Sequence, residues 1–137
     1  MRLNYSRVAS LGAACVALAA GAAAFAESDH AVSALANYEK TGDSKNCLRL
    51  SMVRDSDPLD DFAILFEVRG GAMYLNELDG RCTGLEHEKR FSYTTPQAQI
   101  CEGDIITVTD TFGTFRGSCS LGEFQQLSEI SAEVASN

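Results

Sequence analysis

The sequence predicts a mainly β domain: a small antiparallel sheet or partly open barrel of about 5–7 strands, with short N- and C-terminal helical segments, stabilised by disulfides. Three observations lead to this class. From Cys47 onward, apolar residues recur at every second position in short runs. Two of those runs are separated by Gly70-Gly71, which supplies the positive φ angles of a tight hairpin turn. Finally, Cys15 lies inside an N-terminal apolar run while Cys47, Cys82, Cys101 and Cys119 lie beyond it, an even set suited to two bridges.

The N-terminal run reads as a signal peptide, residues 1–26. Arg2 and Arg7 precede an alanine-rich apolar stretch over 8–24, and Ala24-Phe25-Ala26 places small residues where a signal peptidase reads them, just ahead of Glu27-Ser28-Asp29. An uncleaved anchor is disfavoured because alanine is a weak hydrophobe, although the run approaches the ~20 residues that span a bilayer. Lipidation of Cys15 is disfavoured because Gly12 stands where a lipoprotein signal has leucine. Cleavage near Ala26 leaves 111 of the 137 residues, enough for one modest core. The leader holds two of the 11 basic residues and none of the 19 acidic ones, so the remainder carries nine cations against nineteen anions, a formal charge of −10. That balance excludes nucleic-acid binding and, after signal cleavage, an anionic membrane surface, because no phosphate-neutralising patch drives counterion release.

Residues 29–40 predict a helix from Val32, Leu35 and Ala36, capped by Ser28 or Asp29 and stopped by Gly42. Leu48, Leu50 and Met52 alternate with Arg49 and Ser51 as a half-buried strand. Residues 62–69 and 72–78 form the hairpin around Gly70-Gly71; a two-residue turn sets Val68 opposite Met73 and Phe66 opposite Leu75, and opposes a slip that brings Glu67 opposite Met73. Strands follow at 90–95, stopped by Pro96, at 104–109, and at 115–121 with Phe115, Gly117, Cys119 and Leu121 inward. After Gly122, the residues Phe124, Leu127, Ile130 and Val134 recur at roughly helical spacing. The expected division is a leader at 1–26, a helix and linker at 27–46, one disulfide-stabilised β domain at 47–128, and a tail or helix end at 129–137.

The four remaining cysteines are 35, 19 and 18 residues apart, without a C-x-x-C. This spacing disfavours structural zinc, thioredoxin-like redox chemistry and haem attachment, leaving disulfides. Three connectivities are possible. Stapling the segment that contains the strand over 91–95 favours Cys82 with Cys101, and hence Cys47 with Cys119, which ties the first strand to the last and closes a long loop.

Candidate chemistry is sparse. His30 and His87 are in charged surroundings and read as solvated. Ser118 lacks the G-x-S-x-G elbow and a base partner. In the acidic loop over 55–61, Asp55, Asp57, Asp60 and Asp61 could offer hard oxygen ligands to calcium, but Leu59, Asp60 and Phe66 depart from the EF-hand pattern, and a turn around Pro58 is preferred. Asp104 after Glu102-Gly103 reads as a turn cap; pairing with an acid at 77–79 depends on the fold. Tyr74, Tyr93, Phe112 and Phe115 read as core or turn packing. No cofactor is expected.

Cys82-Thr-Gly-Leu85, Ile100-Cys-Glu-Gly-Asp-Ile105 and Cys119-Ser-Leu121 with Phe124 following, together with Asp60 to Phe66 leading into Tyr74-Leu75-Asn76 and a leading Cys47-Leu48, resemble a family of small exported four-cysteine proteobacterial proteins classed as a domain of unknown function. The resemblance covers about residues 47–127 and implies a periplasmic protein of a Gram-negative bacterium; it carries no activity or ligand with it. The functional expectation is a non-catalytic periplasmic or secreted binding or interaction module, whose acidity suits a basic envelope protein as partner. The alternative is a small envelope enzyme or calcium-dependent protein using residues 55–61.

Overall fold

A computed structural model describes residues 28–131. The predicted leader with Cys15 and its cleavage point lies outside the described residues, as does Val134. Helix α1 (Asp29–Leu35) is followed by β1 (Tyr38–Lys45), β2 (Cys47–Arg49), β3 (Val53–Pro58), β4 (Ala63–Val68) and β5 (Met73–Glu77). A single-turn helix α2 (Leu85–Glu88) precedes β6 (Phe91–Tyr93), β7 (Gln99–Cys101), β8 (Ile105–Thr109), β9 (Phe115–Ser120) and β10 (Phe124–Glu129). The fold is mainly β, as expected, in three antiparallel sheets rather than a closed barrel: a five-stranded sheet ordered β1-β10-β5-β4-β3, a β2-β7 ribbon, and a three-stranded sheet ordered β6-β8-β9.

The central strands of the five-stranded sheet, β4, β5 and β10, are covered on both faces, while the edge strand β1 is largely exposed. Ile64, Phe66, Val68, Tyr74 and Phe124 pack against Leu48 and Ile100 of the ribbon, Ile106 and Val108 of the small sheet, and Cys82 and Leu85 beside α2. Phe66 anchors this core, meeting Phe124 edge-on at 5.3 Å and Phe91 at 6.4 Å between ring centroids. On the opposite face Leu65, Leu75 and Leu127 pack with Leu59 and with Ala31 of α1. Ser28 caps α1 by accepting the Ala31 N–H, and its hydroxyl donates to the Leu59 carbonyl, which pins the helix to the sheet.

This two-faced burial corrects the hairpin register. Glu67 stands opposite Met73, Phe66 opposite Tyr74 and Leu65 opposite Leu75. The Gly71 N–H donates to the Val68 carbonyl and the Val68 N–H to that of Ala72, so three residues connect the strands rather than two. With apolar layers on both sides, the register that puts Glu67 opposite Met73 is not excluded, and Glu67 instead meets Arg54 of β3 at 3.1 Å.

Other elements also differ from the expectation. The N-terminal helix stops at Leu35, and the polar stretch after it is β1, an edge strand with an irregularity between Lys40 and Ser44. The presumed acidic loop begins as β3, the other edge; such charged, irregular edges resist pairing with other chains. The predicted C-terminal helix is the strand β10, set between β1 and β5. Phe124 and Leu127 are three residues apart, an odd spacing that sends them to opposite faces of a sheet with a core on each. Phe115, expected inward, is 63% exposed. Gly117 pairs with Val108 but Phe115 with Thr109, so Arg116 is an extra residue that reverses the alternation.

The disulfides join Cys47 to Cys101 and Cys82 to Cys119, not Cys82 to Cys101 and Cys47 to Cys119 as expected. Cys47 faces Cys101 directly across the β2-β7 ribbon. Cys82, fully buried, meets Cys119 where β9 runs beside Ile106. The bridges therefore hold the ribbon together and bind the α2 loop to the small sheet.

Candidate functional site

The most chemically distinctive concavity lies where the chain leaves the five-stranded sheet for the ribbon. β1 ends at Lys45, Asn46 intervenes, and β2 starts at Cys47; a cleft of about 260 Å³ opens beside this step. Its apolar lining is Leu48 of β2, Val68 at the end of β4 and Tyr74 of β5, all buried, with Met52 from the β2-β3 turn 42% exposed. The Met52 N–H donates to the Arg49 carbonyl, and the Arg69 N–H donates to the carbonyl of Met52, so the backbone carrying this thioether is tied at both polar groups. Lys45 and Arg49 stand at the rim, and Gln99, opposite Arg49 in the ribbon, adds an amide. Nζ of Lys45 sits 5.4 Å from the centroid of the Tyr74 ring. The Cys47–Cys101 bridge fixes the ribbon wall.

The cleft combines its apolar lining with two cations, Lys45 and Arg49. Lys40 pairs with Glu77, Arg54 with Glu67, Arg81 with Asp61, and Arg116 with Glu88 and Asp110. Lys89 donates to the carbonyls of Pro58 and Leu59. Lys45, Arg49, Arg69 and Arg90 pair with no carboxylate among the described residues, and of these four Lys45 and Arg49 line the cleft together. Sequence reasoning passed over both because they belong to no motif. The available signal was Lys45, Cys47 and Arg49 at alternate positions around the first cysteine of the domain, on one side of an extended chain.

The carboxylates considered for calcium are directed to separate partners. Asp55 accepts the Ser56 N–H, Asp57 meets His30 at 3.0 Å, Asp60 accepts the Phe62 N–H, and Asp61 accepts from Glu86 N–H and Arg81 Nε. Among the described residues no group of three or more His, Cys, Asp or Glu is arranged to hold a metal ion. Asp61, 8% exposed, instead ties the α2 turn to the β3-β4 loop.

Asp104 caps its own turn, accepting the Cys101 N–H at 2.7 Å, and with Ser92, Tyr93, Thr94 and Thr107 lines a second, more polar depression of about 430 Å³. Glu77 is held by Lys40 and Gln125 rather than by another acid, and its hydrogen bond from Lys40 keeps its carboxyl below the usual glutamate range. His87 and Ser118 are exposed, Ser118 opposite Thr107. Of the aromatics read as packing, only Tyr74 is buried; Tyr93, Phe112 and Phe115 are 41%, 93% and 63% exposed.

The two bridges are the mark of an oxidising, extracytoplasmic compartment, and no helix among the described residues is long and apolar enough to cross a membrane. Residues 5–135 match the model of a family described as a family of unknown function (DUF6491). No curated protein and no solved structure matches the chain.

Proposed function

Because the chain belongs to DUF6491, a family of unknown function, we propose a function from its architecture: it is a non-catalytic binding module, exported to the periplasm of a Gram-negative bacterium or secreted after cleavage near Ala26. The observation that supports this most is the cleft beside β2, where two ion-pair-free cations stand over an apolar lining in an otherwise acidic chain. Burying an apolar group against Leu48, Val68 and Tyr74 provides affinity, and the rim cations provide orientation and selectivity. The acidic remainder suits solubility outside the cytoplasm and basic rather than acidic macromolecular neighbours.

Expression of the full chain in a Gram-negative host tests both halves. The oxidised protein is expected in the periplasmic fraction with Glu27 as its first residue, and native mass spectrometry is expected to show a small-molecule adduct that is lost in Lys45→Glu/Arg49→Glu. Cytoplasmic retention with free thiols would overturn export. An adduct-free protein that no compound in a chemically diverse panel stabilises would overturn binding.

A further inference from the structure

We infer that the cleft beside β2 takes a small organic monoanion, a carboxylate on an apolar body. This rests on the binding-module reading and assigns its ligand class. An inorganic anion such as phosphate would meet the donors of Lys45, Arg49 and Gln99 but leave the apolar wall of Leu48, Val68 and the Tyr74 ring unused, and would be desolvated against it. A neutral hydrocarbon would satisfy that lining but leave Lys45 and Arg49 without an anion. A molecule with both characters answers both ends: its body displaces water from the apolar wall while its carboxylate meets the rim.

Arg49 suits a carboxylate because the guanidinium presents paired donors that match its two oxygens, and Gln99 beside it offers an amide N–H. Lys45 adds a second charge from the opposite side of the step, where the Tyr74 ring holds its ammonium near the opening. The net negative charge, −8 for the whole sequence, does not forbid this, since charges beyond about 8 Å are largely screened at physiological salt. The ligand must be small. At the ~30 Å³ a water molecule occupies, a cleft of about 260 Å³ holds about nine non-hydrogen atoms. Medium-chain fatty acids and aryl carboxylates have that size, and the flexible Met52 side chain at the opening adapts to either.

Titration calorimetry on the oxidised protein with octanoate, 1-octanol and octyltrimethylammonium as probes tests the assignment. Octanoate is expected to bind with Kd of the order of 100 µM, the alcohol at least about tenfold more weakly, and the cation not at all. Arg49→Gln should weaken octanoate about tenfold, and Lys45→Gln/Arg49→Gln together should abolish its binding. Met52→Glu, a change at a partly exposed position that sets a carboxylate at the opening, should do the same with an unchanged melting temperature. Arg90→Gln, which removes a cation outside the cleft, should leave affinity unchanged. Octanoate binding that is absent, or equal in the wild type and the Lys45/Arg49 double variant, overturns the inference. If the protein recovered from the periplasm still carries a different adduct, the ligand class is wrong and the binding-module reading stands; if no adduct and no stabilising compound is found, both fall.

Discussion

Asn76 and Gly122 exchange two hydrogen bonds: the Asn76 Nδ2 donates to the Gly122 carbonyl at 2.7 Å, and the Gly122 N–H donates to Asn76 Oδ1 at 2.9 Å. Asn76 is fully buried on β5, and Gly122 lies in the short connection between β9 and β10, so the pair fixes how the last strand enters the sheet. Asn76→Ala strands both Gly122 backbone groups, at about 1–3 kcal/mol for each unsatisfied group, and a loss of about 3 kcal/mol or more is expected in urea denaturation. Gly122 is required for space: a Cβ there would collide with the Glu77 carbonyl oxygen. Gly122→Ala should therefore fold poorly or melt far below the wild type.

The bridges make a second prediction. Peptide mapping without reduction should recover Cys47 linked to Cys101 and Cys82 linked to Cys119; a Cys82–Cys101 peptide would contradict the fold. Their separations of 54 and 37 residues place each contribution at about 4 kcal/mol in a chain-entropy treatment. Replacing either pair by alanine should lower the melting temperature by more than about 10 °C.

Acid should weaken the fold in a defined window. The Glu77 carboxyl is lowered mainly by its hydrogen bond from Lys40, and that of Asp110 mainly by the N–H of Thr114, with further help from Phe112 N–H and Arg116. In each case the folded state binds its proton less readily than the unfolded chain. The stabilisation is therefore complete above the ordinary carboxylate range, about 4, and disappears as pH falls through the depressed folded value. Glu77→Gln should cost less than about 1 kcal/mol at neutral pH, since the pair with Lys40 is half exposed, and should cost nothing once acid has protonated the wild-type side chain. Parallel wild-type and variant stability curves across this range would contradict the assignment.

Exposed and buried phenylalanines should separate cleanly. Phe112→Ser, at a position 93% exposed, should change stability by no more than about 0.5 kcal/mol, whereas Phe66→Ala should cost about 3–5 kcal/mol by opening a cavity between Phe91 and Phe124.

The β class, the two bridges and the hairpin around Gly70-Gly71 were legible because alternation, glycine and cysteine count are local signals. The hairpin register was not, since it depends on α1 covering the second face of the sheet; the continuous run Ala63-Ile-Leu-Phe66 was the trace of that double burial. The same cause disguised β10, whose Phe124 and Leu127 serve opposite cores while spaced like one face of a helix. Cysteine pairing depended on β7, a three-residue strand too short to carry a period. The cleft was invisible for a different reason: Lys45 and Arg49 meet Val68 and Tyr74 only through the step from one sheet to the next.

Amide chemical-shift mapping on the oxidised protein with octanoate tests the central claim most directly. Saturable shifts confined to the amides around Lys45–Met52, Val68, Tyr74 and Gln99, and absent from the Lys45→Gln/Arg49→Gln protein, are the expected result. Saturable shifts centred instead on Phe112 and Phe115, or no shifts up to millimolar octanoate, would contradict it.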